Sequence, residues 1–489
     1  MLGLSACAVA LALATIVLES AIIEYRVIGS VRESLPGLAA HVALYIAVTV
    51  ATCAVYYGVL RLSSRGLATR RAQVLAIGVP VALSVLLAFR APQISPDVYT
   101  YVVHGHQLVT GINPYVQPAK EAAGTPIGAE LAQYGWIAVH GVSPYGALWT
   151  WIEHQVGRAT PDIPRQVLLY KAIAVSSMLA CAWLIWLILG RVDPERRLFG
   201  TLVFLWNPVV MFEIAHEGHN DALMLLFLLL SIWFCLQRTA APSVIAAIIG
   251  GLVKVVPLIF LLPQAVFLWR SERNRWRLLR MMLVGLCVGV MIGIVVYRPV
   301  WVGIETFDGL REHGRPSVLQ STPGALLFYL QNSIRYDIAV RLLSLMCGAA
   351  FGAYLLLAAL RIHDERSLLR ACGGIAVVYL VLAPGYWPWY IVMPVALLAL
   401  APGRGVVAVV MAFTFCARLV APIDNIRRNG FYSWTDEVVV TTIIGLWLPA
   451  TVYLVAFGRE IATVAALDMQ WAWQFVGRTW TARKIERAA

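Results

Sequence analysis

The sequence predicts an all-α polytopic membrane protein of about 14 transmembrane helices (12–14), whose outer loops carry short juxtamembrane helices. Three observations predict it. Hydrophobic residues make up 60% of the chain and charged residues only 13%, where a soluble domain shows roughly 25% charged residues. Mean hydropathy is +0.76. Apolar runs recur from end to end, and arginine clusters sit between alternate runs, which is the positive-inside pattern.

The runs lie at 2–23, 38–60, 73–90, 166–190, 199–215, 221–237, 242–253, 255–269, 280–297, 338–360, 371–384, 389–401, 405–421 and 438–457. The first reads as a span rather than a cleaved signal, because it lacks a basic leader and is too long. The stretch 242–269 is divided in two by Gly250, Gly251 and Pro257, since arginines at both of its ends belong on one side. With the N-terminus inside, the basic segments 61–71, 191–197, 270–280 and 361–370 fall in the cytoplasm. The loops 95–165 and 298–337 fall outside, as do "HEGHND" (216–221), "GYWPW" (385–389) and "PIDNIRRNGFYSW" (422–434). Residues 1–457 thus read as one transmembrane unit, and 458–489 as a cytoplasmic amphipathic tail with Trp471, Trp473 and Trp480 among basic residues.

This organisation excludes several classes. The net charge of +12 belongs to membrane orientation, so no nucleic acid is expected as a partner. The eight cysteines all sit in apolar runs without CxxC spacing, so neither a disulfide framework nor a zinc site is expected. No P-loop and no GxGxxG after a strand is present.

Chemistry concentrates in the predicted outer segments. In "SPDVYTYVVHGHQLVTGINPY" (95–115), Ser95, Pro96 and Asp97 make a good helix start, and Gly111 with Pro114 a good stop. Capping alone accounts for Asp97. Its place at the outer membrane surface also suits a general base, with partial burial raising its pKa and Tyr101, His104 and Leu108 on the same helix face. "SPYGALWTWI" (143–152) offers aromatic rings for a sugar or for the membrane interface. His140, Glu153 and His154 lack the spacing of a metal site. In "WNPVVMFEIAHEGHNDALM" (206–224), His216, Glu217, His219, Asn220 and Asp221 gather at membrane depth, with Glu213 just before them, and Asn220 or Asp221 also suits the cap of the next helix. Lys254 either snorkels or holds a phosphate. Arg298, Arg311, His313, Arg315 and Arg335 either neutralise a lipid phosphate or solvate their loop. Tyr386, Trp387, Trp389 and Tyr390 form an aromatic belt or a groove wall.

Taken together, "DVYTYVVHGHQLVTGINPY", "SPYGALW", "NPVVMFEIAHEGHNDALM" and "PWYIVMP" resemble the motifs of GT-C glycosyltransferases. The resemblance is nearest to the polyprenol-phosphate-mannose-dependent α-mannosyltransferases, with family GT87 as a neighbour, and covers about 95 to 400. It implies a GT-C fold in the inner (cytoplasmic) membrane with the active site on the periplasmic side. It implies inverting transfer of a sugar, mannose by resemblance, from a polyprenyl-phosphate donor to a glycan or glycolipid acceptor among membrane lipids, with no cofactor and no metal. Asp97 matches the family's catalytic base. Lys254 matches a recurrent K-x-x-P position and, with Arg298, is assigned to the donor phosphate. Tyr99, Tyr101, His104, Tyr115, Tyr145, His216, His219, Asn220, Asp221, Trp389 and Tyr390 are assigned to substrate binding. The chain departs from the family in reading "HEGHND" for "GGxHND" and "SPYGAL" for "SPYGPL". Two other readings remain: a transporter or flippase of lipid-linked saccharides, and an O-antigen-ligase-like polymer transferase using a diphosphate donor.

Overall fold

The computed structural model describes residues 1–28, 35–67, 69–317, 319–428, 430–431 and 433–458. Among these, every element is helical and there is no strand. Backbone groups in lipid must be satisfied within the segment, and a helix does this without partners. Each of the apolar runs falls on a helix. Seven helices are long and apolar enough to cross a membrane: Gly37–Ser64, Arg70–Ala88, Ile163–Val192, Arg275–Val300, Tyr336–Leu360, Gly405–Arg428 and Trp434–Gly458. An eighth is possible if the bent pair Pro194–Leu205 and Pro208–His216 is one span, and Asp221–Leu236, Ala240–Gly251, Val256–Ser271 and Pro388–Ala399 are shorter. Among the described residues, length and composition alone thus identify seven or eight crossings, with Leu2–Leu18 also among the shorter apolar helices, and the count of fourteen is not confirmed. Past residue 458, the expected tail lies outside the described residues.

The bend of 52° in the pair falls at Asn207-Pro208. Proline removes a donor and closes the preceding turn. Asn207 repairs the break: its side-chain oxygen accepts from the N–H groups of Val209 and Val210, and its amide donates to Thr414 Oγ1 at 2.7 Å. The wide turn Met211–His216 that follows carries Glu213 and His216. Such widened turns cluster at functional sites.

The predicted break near Lys254 is present. Ala240–Gly251 ends, residues 252–255 leave the helix, and Leu261–Ser271 resumes after one tight turn. The freed carbonyls of Val253 and Leu252 accept the N–H groups of Gly146 and Leu148, at 3.0 and 2.9 Å. A Cβ on Gly146 would lie 2.2 Å from the Leu252 oxygen, so the contact requires glycine. "SPYG" thereby holds the turn that presents Lys254.

Helix Asp97–Val109 starts one residue later than the cap expected at Ser95. The capping position is Pro96, and Ser95 Oγ accepts the Asp97 N–H at 3.2 Å. The helix ends as expected at Gly111, with φ +81°. The Gly111 N–H donates to the Leu108 carbonyl and the Ile112 N–H to the Gln107 carbonyl, a Schellman closure. Asn113 then ties this loop to the second one, its amide donating to the Val300 carbonyl at 2.8 Å.

Candidate active site

The segments predicted to share one side of the membrane converge on a single cavity of about 970 Å³, within the size range of small-molecule sites. Asp97 lies in its wall. Asp97 Oδ1 is 3.3 Å from His140 Nε2, and Oδ2 is 3.6 Å from His219 Nδ1. The other nitrogen of His219 is 3.4 Å from Glu213 Oε2. The His219 ring stacks on Trp389 at 3.9 Å, and Trp389 stacks on Trp387 at 5.4 Å. Two imidazoles thus flank one carboxylate, and aromatic rings fix one of them.

His140 is set by its own partners. The Trp136 indole donates to Thr100 Oγ1 at 3.2 Å, and that oxygen lies 2.9 Å from His140 Nδ1. The Thr100 hydroxyl also lies 3.3 Å from the Pro96 carbonyl, and these contacts fix the imidazole with its other ring nitrogen toward Asp97.

Burial alone would push the Asp97 carboxyl up, as the sequence reading expected. The hydrogen bond from His140, together with the charges of His140, His219 and Lys254, outweighs burial, so the carboxyl lies well below the usual range. This corrects the expected direction. Burial would lower His219, but Glu213, Asp97 and Asp221 facing it raise it instead.

Lys254 lines the same cavity. Its Nζ lies 2.7 Å from Asp221 Oδ2, over the rings of Tyr145 and Tyr390 at 5.7 and 5.6 Å. A cation between two rings, open to the cavity, suits an anionic group. His104, Tyr145, Asp221, Trp389 and Tyr390 line the same cavity. His104 Nδ1 lies 3.1 Å from Glu153 Oε1, and both residues are buried.

Other assigned residues stand behind the wall. The face that helix Asp97–Val109 turns to the cavity is Asp97, Thr100 and His104. Tyr101, expected on that face, packs edge-on against Tyr145, Trp149 and Tyr170. The helix is buried on nearly all sides, so spacing alone does not tell which side is open. Tyr99 stacks on Tyr134, and the Tyr115 hydroxyl donates to the Tyr145 carbonyl at 2.9 Å. His216 pairs with Glu217 at 2.9 Å. Asn220 is buried with no side-chain hydrogen bond among the described residues, and it does not cap the next helix through its side chain.

Arg298 is exposed, directly after helix Arg275–Tyr297, and does not reach the cavity. Its assignment to the donor phosphate therefore draws no support from the cavity, whose lining it does not join. Of the second loop's arginines and histidine, only His313 lines the cavity among the described residues, and burial disfavours its charged form; Arg311 and Arg335 pair with Asp308 and Asp337 nearby. Thr100, His140, Glu213, Arg418 and Arg427 line the cavity without having been assigned. Arg427 stood in the "PIDNIRRNGFYSW" segment, the one signal available for it. Among the described residues no three His, Cys, Asp or Glu side chains converge as metal ligands would.

Residues 1–271, more than half of the chain, match the family model described as alpha-(1->6)-mannopyranosyltransferase, N-terminal domain. The chain belongs to this family. Residues 163–384 also match glycosyltransferase family 87. The family match covers Asp97, His140, the "HEGHND" turn and Lys254; the aromatic wall at 387–390 and the arginines at 418 and 427 lie beyond both matched ranges.

Among similar proteins is alpha-(1->6)-mannopyranosyltransferase A of Corynebacterium glutamicum, 29% identical over 148 residues, 29% of this chain and 28% of the relative. Alpha-(1->6)-mannopyranosyltransferase B of the same organism is 24% identical over 363 residues, 66% of this chain and 59% of the relative. Alpha-(1->6)-mannopyranosyltransferase A of Mycobacterium tuberculosis is 23% identical over 400 residues, 76% of this chain and 73% of the relative. The chain thus matches 28% and 59% of the length of the two Corynebacterium relatives.

Proposed function

We propose that this protein is a membrane glycosyltransferase that moves a sugar, mannose, from a polyprenyl-phosphate donor to an extracytoplasmic glycan or glycolipid acceptor. The observation that carries the reading is that Asp97 and Lys254 line one cavity, with Lys254 among the charges that act on the Asp97 carboxylate. The family and its mannosyltransferase relatives support the sugar and the reaction class. The site faces the periplasm, on the side assigned to the loops 95–165 and 298–337.

The reaction is an inverting displacement. Lys254 meets the phosphate of the donor and stabilises it as it leaves. The acceptor hydroxyl attacks the anomeric carbon from the opposite face. As that bond forms, Asp97 takes the hydroxyl proton, and the electron pair of the breaking bond leaves on the polyprenyl phosphate. His140 and His219 hold the carboxylate in place. The donor phosphate neutralises the Lys254 ammonium, one of the charges that keep Asp97 low, so donor binding strengthens the base at the moment it is needed. No metal step is required, since Lys254 supplies the positive charge.

The test is donor class. Purified protein in lipid is given polyprenyl-phosphate mannose or a polyprenyl-diphosphate saccharide with envelope glycolipid as acceptor. Transfer from the monophosphate alone is expected. Transfer from the diphosphate alone favours the polymer-transferase reading, and flux across vesicles with no new glycosidic bond favours the transporter.

A further inference from the structure

We infer that Glu217, with His216 beside it and Lys171 behind it, is the brace that positions Asp97. This rests on the role given to Asp97 above. The connection from helix Arg70–Ala88 to Asp97 has no regular structure between 91 and 96, so its backbone groups need partners from elsewhere. Glu217 supplies them within this stretch, and Lys171 fastens the chain just before it. Glu217 Oε1 accepts the Gln93 N–H at 3.0 Å, and Oε2 accepts those of Ile94 and Ser95 at 3.0 and 2.8 Å. On the carbonyl side, Lys171 Nζ donates to the Leu87 oxygen at 3.1 Å and to the Arg90 oxygen. Glu217 is 2% exposed and Lys171 fully buried.

The grip reaches Asp97 through one further bond. Ser95, held by Glu217, accepts the Asp97 N–H on its own hydroxyl. Gly218 makes the geometry possible. Its φ is +84°, and a Cβ there would lie 2.9 Å from Lys171 Cγ and 3.4 Å from Val98 Cγ2. His216 Nδ1, 2.9 Å from Oε1, orients the carboxylate from its remaining side. A run of backbone N–H groups around a carboxylate is an anion nest. A neutral amide in its place would turn its own N–H groups toward those donors. Glu217 thus fastens the segment that leads into Asp97 and is a positioning residue, acting through Asp97.

The experiment uses the full chain in lipid with Glu217→Gln and Glu217→Asp. The aspartate keeps the charge and shortens the reach, and it serves where the glutamine variant does not fold. Hydrogen exchange over 90–98 reads the brace directly: the amides of 93–95 are expected to exchange at least about 10-fold faster than in the wild type. Transfer of mannose, counted per donor-binding site, is expected to fall on the order of 100-fold in kcat with donor KM little changed. Adding Glu217→Gln to Asp97→Asn is expected to lower the residual rate no further. Unchanged protection of 93–95 overturns the inference, as does a kcat loss that multiplies in full onto that of Asp97→Asn. If the wild type transfers no sugar, the functional reading fails by itself, and the exchange data alone decide whether the brace exists.

Discussion

His140 Nε2 lies 3.3 Å from Asp97 Oδ1, and this contact leads the effects that oppose burial of the carboxylate. A carboxyl as buried as Asp97 would ordinarily hold its proton more tightly. Here the imidazole hydrogen bond and the surrounding positive charges keep it ionised. Ionisation is thereby secured at all ordinary pH, and base strength is gained only when substrate changes the surrounding charge.

Replacing His140 with Leu removes the hydrogen bond named above and leaves burial to act. Asp97 is expected to move up, so an acid limb appears in the pH profile of kcat/KM that the wild type lacks above pH 5. Turnover at neutral pH falls by about 10-fold or more, within the usual range for acid–base groups. For stability the sign follows from the depressed value. The folded carboxyl lies below its unfolded value of about 3.9, so its ionisation stabilises the fold above that pH and the contribution fades as pH falls below about 4. A thermal-unfolding series from pH 3 to 7 checks this against Asp97→Asn, which is expected to flatten the lower end.

Lys254→Met is expected to raise the KM for the polyprenyl-phosphate donor by about 10-fold or more, because its Nζ is the cation between Tyr145 and Tyr390 in the cavity wall. Asp221→Asn, which frees that cation from its 2.7 Å partner, is expected to perturb donor binding less. Initial rates at varied donor concentration separate the two. Equal KM values in Lys254→Met and wild type would remove Lys254 from the phosphate site.

Gly146→Ala places a methyl against the Leu252 carbonyl. Overpacking of this kind costs about 1–3 kcal/mol. It also displaces the turn that carries Lys254, so the variant is expected to lose donor affinity along with thermal stability. Alanine at Gly141, where a Cβ meets only Glu312 Oε2 at 3.7 Å, is the control.

The helical class and the order of the apolar runs were legible because lipid leaves the backbone few alternatives. The split at Lys254 was legible from Gly250, Gly251, Pro257 and the arginines on either side. The crossing count was not, since helices such as Ala240–Gly251 are apolar yet too short to span alone. Within the site, Asp97, Lys254 and the "HEGHND" turn were readable as motifs. The partner His140 was not, because a pairing between residues far apart within one long loop leaves no mark in local spacing. The reversal of the Asp97 shift has the same origin: burial is readable from sequence, whereas His140, His219 and Lys254, which outweigh it, are all distant from Asp97 along the chain.

Chelation is expected to leave transfer unchanged. With Lys254 meeting the donor phosphate, millimolar EDTA should reduce the initial rate by no more than about 2-fold, on the reasoning that a protein cation supplies the charge stabilisation. Loss of activity restored by a divalent cation would contradict this.

The most direct measurement is the rate of mannose transfer from polyprenyl-phosphate mannose by Asp97→Asn, in protein shown by donor binding and thermal unfolding to be folded. The account predicts a loss of about 100- to 10,000-fold in kcat with donor affinity retained. Turnover close to that of the wild type would contradict it.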